Sequence, residues 1–128
     1  MHYDASILLV DDYEFIRTIL ERMLQQLGYQ NLRMAADGVD ALHLLRTRPV
    51  DLVITDYHMP EMDGIGLFQS MQQDPVLAKI PVLLISGVPT EKFVTQALAI
   101  GIQSTLNKLF RAEQLDQEIQ SLLTRSLS

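Results

Sequence analysis

Apolar and polar residues follow each other along this chain in two rhythms. Ile7-Leu8-Leu9-Val10, Leu52-Val53-Ile54-Thr55 and Val82-Leu83-Leu84-Ile85 are unbroken apolar runs, and weaker segments lie at Leu32 to Ala36 and Ser104 to Asn107. Runs this short, without alternation, read as strands buried on both faces. Between them apolar residues recur at helical spacing. The first such stripe is Phe15, Ile16, Ile19, Leu20, Met23, Leu24 and Leu27, closing at Gly28. The second runs through Ala41, Leu42, Leu44 and Leu45 to Pro49, and the third through Leu67, Phe68 and Met71 to Asp74-Pro75. A fourth, with Thr90 as its cap, holds Phe93, Val94, Ala97 and Leu98 and ends near Gly101; the last carries Leu115, Ile119, Leu122 and Leu123. Residues 57 to 64, with Pro60 and Gly64, read as a loop. Strands alternating with helices in this way predict right-handed βαβ units and an α/β, doubly wound parallel sheet. No repeat or linker interrupts the pattern, so residues 1–128 read as one domain.

Composition narrows the function. A chain of 128 residues buries roughly two-thirds of its unfolded surface, enough for a real core. Ten Lys and Arg against sixteen Asp and Glu leave a net charge of −6, which disfavours binding to nucleic acid. The absence of cysteine excludes a disulfide framework, a zinc ribbon and thiol chemistry. No apolar run approaches the ~18 residues of a membrane helix, and Met1-His2-Tyr3-Asp4 does not begin a signal peptide. The expected setting is cytoplasmic, with no membrane contact.

The placement of the acids says more than their number. Ligands of open α/β sheets bind beyond the carboxyl ends of the strands. Asp11 and Asp12 follow the first run, Asp56 the third, Ser86 the fourth and Lys108 the fifth, while the second offers only Ala36-Asp37. Carboxylates gathered on one rim repel, by about 4 kcal/mol for a pair ~4 Å apart at an effective dielectric of ~20. A hard divalent cation relieves that strain, and oxygen donors suit Mg²⁺, or Mn²⁺, rather than zinc. A cation beside a free carboxylate, a hydroxyl and a lysine meets the needs of phosphoryl transfer. Taken singly the residues have plainer uses. Asp11-x-x-Glu14 reads as a capping box, Asp63-Gly64 and Ser86-Gly87 as turns, and Lys108 as a solvated lysine. His2, His43 and His58 read as surface or loop residues, and Met23, Met34 and Met71 as core.

The chain closely resembles the receiver domain of two-component response regulators (CheY-like). The resemblance rests on Asp11-Asp12, the stretch from Ala36 to Leu42, the block Asp56-Tyr57-His58-Met59-Pro60-Glu61-Met62-Asp63-Gly64, Ser86, and Lys108 followed by Phe110. It spans essentially the whole chain, at the intervals of an ungapped member. The resemblance implies a flavodoxin-like sheet of five parallel strands, order 2-1-3-4-5, with five helices. It implies that Asp56 accepts a phosphoryl group from a sensor histidine kinase or histidine phosphotransfer protein. Asp11, Asp12, Asp56 and the backbone carbonyl of His58 would hold Mg²⁺, and Ser86 and Lys108 would contact the phosphoryl group. The protein would be a phosphorylated switch of a phosphorelay, acting as an enzyme only on its own phosphorylation and autodephosphorylation. It would signal to a partner protein through the face of helix four, strand five and helix five, as a monomer or as a dimer when phosphorylated.

Four departures touch that face. Thr105 stands where the family usually has Tyr or Phe, Leu109 where it has Pro, and Gly87 and Ile102 where Ala is common. The peptide before Leu109 is expected trans, since a cis bond there costs roughly 2.5–4 kcal/mol. Two other functions compete with the switch. One is an adaptor that binds partners regardless of phosphorylation, which the acidic rim argues against and Thr105 and Leu109 favour. The other is an aspartyl-phosphate phosphatase, for which this length leaves no substrate-recognition cap. Nor does it leave room for an output module.

Overall fold

The computed structural model describes residues 2–59, 61–87, 91–102, 104–108 and 110–127, without the side chains of 91–93, 126 and 127. Strands β1 (Ser6–Val10), β2 (Asn31–Ala35), β3 (Leu52–Asp56), β4 (Val82–Ser86) and β5 (Ser104–Asn107) form one parallel sheet in the order β2-β1-β3-β4-β5. Helices α1 (Glu14–Leu27), α2 (Gly38–Thr47), α3 (Gly64–Gln72), α4 (Glu91–Ala99) and α5 (Ala112–Leu127) connect and follow them. The doubly wound expectation and its strand order are borne out.

The unbroken apolar runs are explained by a core on each side of the sheet. Leu8, Val10, Val53 and Leu84 pack beneath α2 and α3, with Ala97 of α4. Ile7, Leu9, Ile54, Leu83 and Ile85 pack beneath α1 and α5, against Leu20, Leu24, Leu115 and Ile119. Successive strand side chains point to opposite faces, so a strand covered on both sides has no polar position to alternate with. The predicted stripe of α5 is buried in full.

Helix ends follow their local chemistry. Gly28 closes α1 at φ 113°, and the Tyr29 N–H reaches back to the Leu24 oxygen at 2.9 Å. Asp37 caps α2 by accepting from the Asp40 N–H, and Asp63 caps α3 by accepting from the Gly66 N–H, both at 2.7 Å. Gly64 is thus the first residue of a helix, not the last of a loop.

Several expectations are corrected. The stripe of α1 is narrower than its sequence suggests: Phe15 and Ile19 are 75% and 42% exposed, and the buried pair is Leu20 and Leu24. Hydrophobic spacing marks a helix, but the sheet covers only the part of its circumference it touches. Met34, on edge strand β2, and Leu98, on α4, are likewise exposed. The capping box at Asp11 is not formed. The N-cap of α1 is Tyr13, and Asp11 Oδ1 accepts the N–H of Tyr13 instead, at 3.0 Å. A 3₁₀ turn, Leu77–Lys79, carries the chain from α3 toward β4; Asp74 opens it by accepting from Val76. Thr90 and Leu109 lie outside the described residues, and with them the proposed cap of α4 and the trans peptide before Leu109.

Candidate functional site

The chain reverses direction across the sheet between β1 and β3, and the crevice beyond their carboxyl ends is where open α/β sheets bind ligands. Here β1 delivers Asp11 and Asp12, and the last residue of β3 is Asp56. Carboxylate oxygens of these three residues lie within 4.8 Å of one another. Asp11 and Asp56 are almost wholly buried. Lys108, following β5, reaches across β4 to place Nζ 3.2 Å from Asp56 Oδ2. That lysine is anchored from behind, because its N–H donates to the main-chain oxygen of Ser86 at 2.9 Å.

A recess of about 580 Å³ opens above this cluster, lined by Asp12, Asp56 and Lys108 and by Tyr13, His58 and Met59 among others. The predicted site residues therefore converge, with two distinctions. Asp11 lies beneath the recess rather than on its wall, and Ser86 is a buried neighbour at the end of β4. The His58 side chain is exposed and packs edge-on against Tyr57, ring centroids 4.5 Å apart.

The electrostatics show a cluster built for a positive guest. Asp12 Oδ1 and Asp56 Oδ1 are buried and have no hydrogen-bond partner among the described residues. Burial raises the Asp11 carboxyl above its usual range; the neighbouring charges of Asp56 and Asp12 act in the same direction, while the Tyr13 N–H and Lys108 oppose them. Buried carboxylate oxygens are normally paired, and leaving one unpaired costs on the order of 1–3 kcal/mol or more. Two orphaned oxygens in one acidic crevice fit a small hard cation coordinated by oxygen.

The sequence missed Tyr13 as part of the site; its place directly after Asp12, at the head of α1, was the available signal. It also passed over Thr55, read as one more residue of an apolar strand.

An open parallel sheet with clustered carboxylates and a lysine at its switch point defines a doubly wound α/β protein with an acidic, cation-competent site. The chain belongs to the response regulator receiver domain family, whose profile matches residues 7–120. It is similar to chemotaxis protein CheY-3 of Vibrio cholerae, 32% identical over 125 residues that cover 98% of this chain and 96% of that protein. Among solved structures it resembles the signal receiver domain of an HD domain-containing protein from Pseudomonas fluorescens, with TM-score 0.85, 34% identity and coverage of 96% and 97%. It also shares its fold with the receiver domain of a sensor histidine kinase from Pseudomonas aeruginosa, with TM-score 0.85, 24% identity and coverage of 94% and 98%. That structure holds a magnesium ion coordinated in its active site cleft. Members of this family are signalling switches rather than conventional enzymes, bind Mg²⁺ at an acidic site, and work with histidine kinases and downstream effectors. Among the described residues of this chain, no helix is long and apolar enough to cross a membrane.

Proposed function

We propose that residues 1–128 act as one receiver unit that takes a phosphoryl group onto Asp56 and passes the change to a protein partner. The observation that carries this reading is the state of Asp56. It is buried, one carboxylate oxygen is held by Lys108, and the other, like Asp12 Oδ1, has no partner among the described residues. Asp56 Oδ1 is then the nucleophile. It attacks the phosphorus of a phosphohistidine, the P–N bond breaks, and the imidazole leaves with its electron pair and takes up a proton, giving an acyl phosphate on Asp56. Lys108, already 3.2 Å from Asp56 Oδ2, swings its ammonium to a phosphoryl oxygen, and the Ser86 hydroxyl donates to another.

Asp11, Asp12, Asp56 and the backbone carbonyl of His58 would hold Mg²⁺ (Mn²⁺ as substitute), which when bound neutralises charge on the phosphoryl oxygens. Asp11, buried beneath the recess, acts largely through water. The donor is a histidine kinase or phosphotransfer protein. The first turns of α1 give such a protein an apolar footing beside the recess, through exposed Tyr13, Phe15 and Ile19. The phosphorylated form acts on its partner through the face of α4, β5 and α5, in the cytoplasm. Half-buried Thr105 has no ring to move on that face.

Acetyl phosphate or phosphoramidate with Mg²⁺ is expected to label the protein, and Asp56→Asn to reduce labelling by at least roughly 10³-fold, as loss of a nucleophile does. Absence of labelling in the unsubstituted chain with Mg²⁺ present would refute the reading. Equal partner affinity for the unsubstituted and Asp56→Asn chains would favour a phosphorylation-independent adaptor.

A further inference from the structure

Thr55 stands one residue before Asp56 and is fully buried. Its neighbours on the same face of the sheet are aliphatic. Val10 is its partner on β1, Leu84 its partner on β4, and Val53 shares its face of β3. Val10, Leu84 and Val53 belong to the core beneath α2 and α3, where a valine, with the branching of threonine and no polar atom, would satisfy packing. A buried hydroxyl is costly unless it is hydrogen-bonded, so what it touches accounts for its presence. The hydroxyl donates to the main-chain oxygen of Asp56 at 3.0 Å, and Met59 Sδ lies 3.9 Å away as a second, weaker acceptor. Both acceptors belong to the peptide of Asp56 or to the loop that follows it.

The same peptide is pressed by Gly64, where a Cβ would lie 2.6 Å from the Asp56 oxygen and 2.5 Å from Leu84. The carboxylate itself has little to orient it: Oδ2 meets Lys108 and Oδ1 meets no partner among the described residues. Its aim is therefore set largely from the backbone side. The structure assigns Thr55 as a positioning residue for Asp56, its hydroxyl proton held by the main-chain oxygen of Asp56. This rests on the reading of Asp56 as phosphoryl acceptor and cation ligand.

The test compares the unsubstituted chain with Thr55→Val, which keeps the shape and loses the donor, and Thr55→Ser, which keeps the donor and loses a methyl. Thermal unfolding, Mg²⁺ affinity by calorimetry, and phosphorylation rate against acetyl phosphate concentration are measured for each. Thr55→Val is expected to melt near the unsubstituted chain. It should bind Mg²⁺ several-fold more weakly and lose about tenfold in maximal rate, with little change in the half-saturating concentration, as a misaimed nucleophile would. Thr55→Ser should recover both to within about twofold. Phosphorylation and Mg²⁺ binding of Thr55→Val equal to the unsubstituted chain, or Thr55→Ser as defective as Thr55→Val, would overturn the assignment. If Thr55→Val does not fold, Thr55→Ala replaces it: Ala and Ser both lose the methyl and only Ala loses the hydroxyl, so equal behaviour overturns the assignment. Absence of labelling in the unsubstituted chain refutes the phosphoacceptor reading separately. The Mg²⁺ affinities then decide: a loss confined to the variants without a hydroxyl supports the assignment, and equal affinities overturn it.

Discussion

Asp56, buried at the end of β3, and Asp116, half-buried on α5, are two acids of the same fold treated in different ways. Asp116, on α5, has both carboxylate oxygens taken: Tyr29 donates to Oδ1 at 2.6 Å and Tyr3 to Oδ2 at 3.1 Å. Gln120 completes the group by donating to the Tyr29 hydroxyl at 2.8 Å and accepting from the His2 N–H at 3.0 Å. The rings of Tyr3 and Tyr29 pack tilted, centroids 4.8 Å apart. At the other place Asp56 has one donor, Lys108, and otherwise faces Asp11 and Asp12, and Oδ1 of Asp12 and Oδ1 of Asp56 find no partner among the described residues. The Asp116 cluster clasps the N-terminal segment and the turn after α1 onto α5. The Asp56 cluster has a single side-chain tie, from Lys108 after β5 to the end of β3. Satisfied acids tie a fold together, and unsatisfied ones wait for a ligand.

That contrast can be broken first by supplying the missing charge. Mg²⁺ at about a hundred times its dissociation constant is expected to stabilise the protein by about 2.7 kcal/mol. Asp12→Ala should remove most of that increment, and thermal melts with and without the ion measure it. Tyr29→Phe should leave the Mg²⁺ increment untouched, since it acts at the other cluster.

Breaking the satisfied cluster comes next in size. Tyr29→Phe leaves Asp116 Oδ1 and the Gln120 amide without their hydroxyl, at a cost of about 1–3 kcal/mol in urea unfolding. Acetyl phosphate labelling should not change. The same residue sets an alkaline limit. Burial, followed by the bond to Asp116, raises the Tyr29 hydroxyl above its ordinary value. The folded form therefore keeps a proton that the unfolded form begins to lose near pH 10, so the stabilisation is complete below about pH 10 and declines above it. Melts between pH 9 and 11 should show a decline that is shallower in Tyr29→Phe.

The smallest effect lies in the loop between β3 and α3. Glu61 has φ 66°, a left-handed conformation that asparagine and glycine adopt more readily. Glu61→Asn should raise stability by about 0.5–1 kcal/mol, read from the urea midpoint, without affecting labelling.

Much of this was legible before folding. The unbroken runs of β1, β3 and β4 announce strands covered on both faces, and the residues after the first two, Asp11 and Asp56, belong to the acidic rim. Gly28 marks the end of α1 by local chemistry that needs no distant partner, whereas Asp63, read as a turn residue, is the cap of α3. The width of the buried face of α1 was not legible. Phe15 and Ile19 have the spacing of a core stripe, and only the position of the sheet decides that they stay outside. Asp11 looked like half of a capping box, yet its carboxylate turns to the Tyr13 N–H beneath the recess.

By itself the sequence determined the alternation of strands and helices and the identity of the groups at the strand ends. Hydrophobic period and capping are local, and the block from Asp56 to Gly64 carries its family in its spelling. Tertiary structure alone decided which acids would be partnered. Asp56 and Lys108 are far apart along the chain and become 3.2 Å neighbours through β5 lying beside β4. Asp116 finds Tyr3 and Tyr29 only because α5 returns across the face that β1 and α1 also share. Whether a carboxylate ties the fold or awaits a cation depends on which donors reach it, and strand order and helix packing set that reach.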